Sequence, residues 1–322
     1  MIKKLFSSFF VVTMIFLLSG LSYQKNEITP KMYDLNKSLT YLSFTPSDVP
    51  GCIADGWYQG KEGGVKNRTQ IRDKQYAKDS DIRFFQRLEF PKRTNFNGAG
   101  IEITIRLWQS DNIAKESFKS FEESNRARSA SATGYGFSTF TALSLGELVH
   151  KYPIESELKS KWPPINASLE VLDGRVSLLV YYERYPKRGK DGWTEYPPIS
   201  NEDLQITEFV ARLALSKAYM AIHDFDNLKK ESATIRKVKV DTKRTSDKML
   251  LVPIKSLAKQ LNWKYEEKYG VLTINISKNK MIIPAGSREL IMGSRKEKLP
   301  LPVILDGKEY WVEKNALLRL IQ

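Results

Sequence analysis

Cysteine and histidine are almost missing from these 322 residues, which hold one of the former and two of the latter. A lone Cys52 excludes an intramolecular disulfide, a CxxC redox pair and a thiolate zinc cluster. His150 and His223 stand far apart in the chain, so no local HxH or HExxH metal pair exists. After residue 18 there is no long apolar run, and no sorting motif with an apolar tail closes the chain. The composition is not that of a disordered chain either, since 41% hydrophobic and 27% charged residues suit a folded protein. A body of about 300 residues buries roughly 75% of its unfolded surface and needs no disulfide staple. What is abundant is positive charge: 51 Lys and Arg against 37 Asp and Glu give a formal net charge of +14. These features set the expectation of a basic protein without metal or cofactor, and not of an enzyme.

The N-terminus carries an address. Lys3-Lys4 precede Leu5 to Leu18, a stretch without a single charge. At 1.5 Å per residue it is about 21 Å long, short of the roughly 30 Å hydrocarbon core of a bilayer. The small residues Ser19, Gly20 and Ser22 follow, then polar Gln24-Lys25-Asn26-Glu27. A charged start, a short apolar core and a small-residue exit define a signal peptide over 1–22, cleaved after Ser22. Its retention as an anchor is the other outcome, and the only route by which the protein is expected to meet a membrane. Cys52 echoes a lipidation box only in Gly51-Cys52; no apolar segment directly precedes it, so lipidation is not expected. The protein is expected to be secreted or associated with the cell envelope. Residues 23–40 form an N-terminal extension.

Residues 41–228 read as one α+β domain. Ile101, Ile103, Ile105 and Leu107 alternate with Glu102, Thr104 and Arg106, the period-two pattern of a half-buried strand. Ile82, Phe84, Leu88 and Phe90 form the core face of a preceding strand, with 91–98 as the connecting loop of an antiparallel pair. Leu169 and Val171 lead to Asp173-Gly174, and Val176, Leu178, Val180 and Tyr182 follow in alternation, as in a hairpin closed by a type I′ turn. Ser110 or Asp111 caps a helix bearing Ile113, Ala114, Phe118 and Phe121. Ser200 with Asp203 approximates a capping box before a helix whose stripe is Ile206, Phe209, Val210, Leu213 and Met220. Between 126 and 146 lies a Ser-, Ala-, Thr- and Gly-rich stretch, a loop or small-residue strand. Its Gly134-Tyr135-Gly136 lacks the Lys-Ser/Thr of a phosphate loop.

Residues 229–248 shift to a basic composition with few apolar residues, the signature of a solvated linker holding one short strand at Ile235 to Val240. Its Lys229, Lys230, Arg236, Lys237 and Lys239 are candidates for contact with an anionic surface. Residues 249–322 open with Val252-Pro253-Ile254-Lys255-Ser256-Leu257-Ala258, pass through Val271-Leu272-Thr273-Ile274 after a Tyr269-Gly270 turn, and close with Asp306-Gly307-Lys308-Glu309-Tyr310. This region resembles the copper amine oxidase N-terminal-like (stalk) domain of secreted Gram-positive bacterial proteins. It departs from that pattern at Trp311-Val312-Glu313-Lys314, where the second Val-Pro-Leu-Arg belongs, and at Asn262 in place of Gly. The resemblance implies a small antiparallel sheet wrapped around a helix, no copper, and an accessory attachment or spacing module. The whole chain is thus expected to be α+β, with a second, smaller antiparallel sheet at its C-terminus.

Candidate chemistry is sparse. A Ser/His triad would have to recruit His150 or His223, each more simply a structural residue. Carboxylates for glycoside cleavage exist at Glu89, Glu102, Glu147, Glu170 and Glu183, but no spacing selects a pair; Glu89 and Glu102 sit most simply beside Arg87 and Arg106 in cross-strand pairs. Cys52 follows Pro-Gly with no neighbouring base. The most distinctive feature runs from Tyr181 to Pro198, where Tyr181, Tyr185, Trp193 and Tyr196 interleave with Lys187, Arg188 and other basic residues. Flat aromatic faces beside Lys and Arg suit a glycan or an anionic wall polymer. The plainer reading makes Tyr182 core and leaves the charges as solvation of a loop. Nucleic acid shares this signature, and export argues against it. The expected function is an exported, non-catalytic envelope protein that contacts anionic wall polymer, a glycan or another envelope protein. The alternatives are a wall-polymer hydrolase with unassigned carboxylates and a structural spacer.

Overall fold

In the computed structural model, described here for residues 40–45, 48–49, 57–58, 64–67, 82–90, 98–119, 143–152, 166–188, 194–195 and 197–321, antiparallel sheets dominate and helices fill the spaces between them. The expected α+β class is what the chain adopts. A seven-stranded sheet is built from β1 (Trp57–Tyr58), β2 (Gly64–Asn67), β3 (Ile82–Phe90), β4 (Ala99–Leu107), β5 (Leu148–Tyr152), β6 (Asn166–Asp173) and β7 (Val176–Arg184). Its order is β1-β3-β4-β7-β6-β5, with β2 also on the free side of β3. The alternation expected in β4 is realised: Ile101, Ile103, Ile105 and Leu107 are each fully buried, and each such side chain contributes about 1.5–3 kcal/mol. Phe84 and Leu88 are buried beside them, and β3 pairs with β4 from Ile82↔Leu107 to Phe90↔Ala99. The β6–β7 hairpin also forms, one residue along from its expected turn. Asp173 pairs with Val176 as the last strand residue, and Gly174-Arg175 make the turn, with positive φ (52°) at Gly174 alone.

Two helices pack on opposite faces of this sheet. α1, residues 111–119, is started by Ser110, whose Oγ accepts from Ile113 N at 3.3 Å. Its Ala114 and Phe118 cluster with Trp108 and Leu172 on the outer face. On the inner face lies α2 (Asn201–His223), with the expected capping box complete: Ser200 accepts from Asp203 N, and the Asp203 carboxylate accepts from Ser200 N. The expected single stripe on α2 is too narrow. Thr207, Glu208, Ala211, Arg212, Ala214, Leu215 and Ser216 are buried as well, while Ile206 and Met220 are only half-buried.

The reason is what lies beyond α2. The C-terminal third forms a five-stranded sheet of order β10-β11-β12-β19-β18, from β10 (Lys229–Ile235), β11 (Val238–Arg244), β12 (Leu250–Pro253), β18 (Ile304–Asp306) and β19 (Glu309–Glu313). A second sheet is the meander β13 (Lys264–Lys268), β14 (Val271–Ile276), β15 (Asn279–Pro284), β16 (Glu289–Met292) and β17 (Arg295–Lys298). α3 (Ile254–Gln260) follows β12, and α4 (Lys314–Ile321) follows β19. Glu309 caps α3 by accepting from Lys255 N and Ser256 N, and Glu313 caps α4 by accepting from Asn315 N and Ala316 N. The Tyr269-Gly270 turn forms with positive φ at both residues, the type I′ signature. Contacts between α2 and β18, and between α2 and β6–β7, make the helix common to both parts. Residues Asp34–Gln322 group as one compact unit.

The expectation of a solvated linker over 229–248 is therefore corrected. Lys229–Ile235 and Val238–Arg244 pair along their whole length, and β11 continues into β12 through Lys243↔Leu251 and Arg244↔Leu250. Ala233, Ile235, Val240 and Thr242 supply one buried face, so few apolar residues suffice. Of the lysines that suggested a linker, Lys230 and Lys239 are exposed on the outward half of the same alternation, and Lys237 lies in the turn. The turn, Arg236-Lys237, falls in the middle of the short strand expected at 235–240, and both residues take positive φ, 45° and 69°.

Candidate binding surfaces

The expected aromatic and basic site is divided among several places. Tyr181 lies on β7 between Glu102 of β4 and Ser168 of β6, half-buried on the outer face of the large sheet. Tyr185 follows at the strand end, where its hydroxyl accepts from Arg87 Nη2 at 3.1 Å and its ring lies 5.8 Å from that guanidinium. Lys187–Arg188 form β8, paired with Thr194–Glu195 as β9, so the expected loop holds a small hairpin. Trp193 and Tyr196 lie outside the described residues. Tyr182 is core, as the plainer reading had it, and donates to Asp203 Oδ1 at 2.5 Å; burial pushes its phenol far above its ordinary value.

Among the carboxylates, Glu102 and Glu183 do meet, but around a cation. Arg87 donates to Glu102 at 2.5 Å and to Glu183 at 2.9 Å. The guanidinium occupies the space in which a scissile bond or an attacking water would have to sit between two acids. Glu102 stands directly opposite Arg87 across the strands, the expected cross-strand pairing. The Glu89 side chain lies outside the described residues. Glu147 is 3.9 Å from Arg288. Glu170 lines a cavity of about 80 Å³ with Thr104, Arg106, Ser177, Leu179 and Phe118. Small-molecule sites usually run to ~300–1,000 Å³, so this cavity has room for a few waters and not for a sugar.

His223 ends α2, stacked against Tyr219 with ring centroids 6.2 Å apart, and burial lowers its pKa. His150 sits on β5 with its backbone opposite Glu170, and its side chain lies outside the described residues, as do Cys52 and the leader.

The five basic candidates of the hairpin are all exposed on the edge strand β10, its turn and β11. Their surroundings differ. Lys229 lies 3.2 Å from Glu231, which also accepts twice from Arg244, and these hydrogen bonds pull the Glu231 carboxyl down to about 2. Arg236 stacks 5.6 Å from the Trp263 ring and donates to Ile321 O. Lys230, Lys237 and Lys239 have no ion pair among the described residues, so the candidate patch reduces to these three. Lys243, counted among the linker charges, turns inward. Its ammonium lies 3.7 Å from the Phe225 ring and 5.0 Å from that of Trp311, donates to Phe225 O at 3.2 Å, and is 3.9 Å from Asp306. Burial lowers its pKa and raises that of Asp306. Strand alternation places Lys243 on the side of exposed Lys239 and Asp241, so nothing in the local sequence marks it as buried.

A polar seam joins the two parts across α2. Arg212, fully buried, donates to Glu208 at 2.9 and 2.5 Å and to the carbonyls of Ser144 and Ala285 at 3.0 and 2.9 Å. Arg288 binds the Asp173 carboxylate at 2.6 and 3.0 Å, and Tyr219 donates to the same carboxylate at 2.5 Å. These charges are spent on one another and on backbone oxygens, which gives the seam a structural role.

No family model, curated protein or solved structure matches the chain.

Proposed function

We propose that this is an exported, non-catalytic accessory protein of the cell envelope that contacts an anionic wall polymer or glycan. The observation that carries the reading is the β10–β11 hairpin, an edge element presenting Lys230, Lys237 and Lys239 to solvent without acidic partners within salt-bridge distance among the described residues. A chain of formal charge +14 adds a long-range attraction to polyanions. The order strand, helix, meander, strand, helix over residues 250–321 supports the stalk-like reading of the C-terminal part. The spacer reading draws on one feature, the joining of Asp34–Gln322 into a single unit.

The test is retention on purified, lipid-free cell wall at low and high salt. Wild type is expected to bind at low salt and to release as the Debye length shrinks to about 8 Å near 0.15 M. A variant carrying Lys230→Gln, Lys237→Gln and Lys239→Gln is expected to lose most of that retention. If the triple variant binds as wild type while Tyr185→Ala with Trp193→Ala does not, the aromatic run and not the hairpin holds the polymer. No retention of wild type at low salt discards the polymer reading in favour of the spacer.

A further inference from the structure

The β13–β17 meander buries one face and leaves the other open. Leu272, Ile274, Met281, Ile283 and Leu290 form its inner side. The alternate residues form a row across the sheet: Glu266 opposite Thr273, Thr273 opposite Ile282, Ile282 opposite Ile291, and Ile291 opposite Lys296. Thr273, Ile282 and Ile291 are half-buried, as residues at the centre of an uncovered sheet face are. Around this aliphatic strip stand Lys264 and Lys268 on β13, Lys280 on β15, and Lys296 and Lys298 on β17, all exposed. Glu266 and Glu289 are the acidic residues on the same face, and Glu289 lies 3.6 Å from Lys296. Lys264, Lys268, Lys280 and Lys298 have no ion pair among the described residues.

The shape of this charge selects the partner. The β13 and β17 lysines are four strand spacings apart, about 19 Å at ~4.8 Å each. A linear polyanion following one flank leaves the opposite lysines and the aliphatic centre unused. A planar anionic surface meets both flanks at once. Ile282 and Ile291 then enter the interfacial layer while the long lysine stems keep their ammonium groups level with phosphates. Among the described residues no helix is long and apolar enough to cross a membrane, and the contact this face offers is a peripheral one. We propose that the open face of β13–β17 docks the protein on a bilayer rich in anionic lipid. This inference uses residues separate from the hairpin and does not depend on the polymer reading.

The test is co-sedimentation of the exported chain with vesicles of phosphatidylcholine alone or with about one-third phosphatidylglycerol. Any contribution of residues 1–22 is common to wild type and variants. Wild type is expected to bind the phosphatidylglycerol vesicles and not the neutral ones. A variant with Lys264→Gln, Lys280→Gln and Lys296→Gln is expected to bind about 100-fold more weakly, near fivefold for each lysine held at such a surface. Ile282→Thr, which keeps a β-branched side chain on the strand, is expected to weaken vesicle binding severalfold without changing the circular dichroism spectrum. The hairpin variant is expected to bind vesicles as wild type does. Unchanged vesicle binding in the Lys264/Lys280/Lys296 variant overturns the proposal, as does a loss that follows the hairpin lysines instead. If the sheet variant loses retention on lipid-free wall and keeps vesicle binding, the face belongs to the polymer and the lipid assignment is wrong.

Discussion

Replacing Arg212 with Met removes the cation at the centre of α2 while keeping much of its volume. Glu208 then remains buried without its partner, and the carbonyls of Ser144 and Ala285 lose their donor. Removing one member of a buried ion pair costs about 3–5 kcal/mol, and carbonyls left unsatisfied press the figure toward the upper end. For a body of this size, with a melting shift of ~2–4 °C per kcal/mol, Tm is expected to fall by about 10 °C or more. Glu208→Leu combined with Arg212→Met leaves neither charge of the pair and is expected to recover most of the loss, since apolar replacement of an entire pair is often near neutral. The measurement is urea unfolding of both variants, followed by tryptophan fluorescence and far-ultraviolet circular dichroism. Because α2 belongs to both sheets, the two probes should report one coincident transition for wild type. Three results would refute the reasoning: a loss below about 1 kcal/mol in the single variant, a double variant no better than the single, or two separate wild-type transitions.

Limited trypsin digestion should spare the β10–β11 hairpin despite its lysines, because both strands are paired; an early resistant fragment beginning near Met249 would contradict that pairing. Lys237→Gly should raise stability by about 0.5–1 kcal/mol, since Lys237 holds a left-handed conformation that costs L-residues about 1–2 kcal/mol and glycine little; urea midpoints would expose a loss instead. For His223, burial lowers the folded-state pKa below its unfolded value near 6.5, so the unfolded chain takes up the proton first. Stability should therefore decline as pH falls below about 6.5, and His223→Phe should flatten that slope; an unchanged slope in the variant would assign it to other groups.

Much of the large sheet was legible because its signals are local. The strict alternation at Ile101–Leu107, the glycine after Asp173 and the Ser200–Asp203 cap each follow from a few neighbouring residues. The turn shifted by one residue because Asp173 is taken up by Arg288 and Tyr219, partners distant in the chain. The linker was misread because composition averages over a strand's two faces. Lys229, Lys230 and Lys239 masked the buried Ala233, Ile235 and Val240, and a turn of Arg-Lys carries no Asn-Gly signal. Buried charges such as Arg212 and Lys243 were invisible for a related reason. A basic residue looks the same in sequence whether it meets water or, as Lys243 does, the faces of Phe225 and Trp311. The site residues fared similarly, since Tyr181 is a strand residue set between β4 and β6, and Tyr185, just past the end of β7, meets Arg87 of β3.

With nearly every side of α2 occupied, each substitution along the helix answers to two surfaces at once. A larger residue at Ala214 or Ala218 has to fit a packed interior with no free margin, and a change at Phe209 presses on Gly270, where even a Cβ would stand 3.0 Å from the ring. The helix therefore makes the two sheets heirs to each other's history. Drift in one is admissible only in combinations the other tolerates, and residues 249–322 cannot be exchanged between chains as a cassette without the helix that completes them.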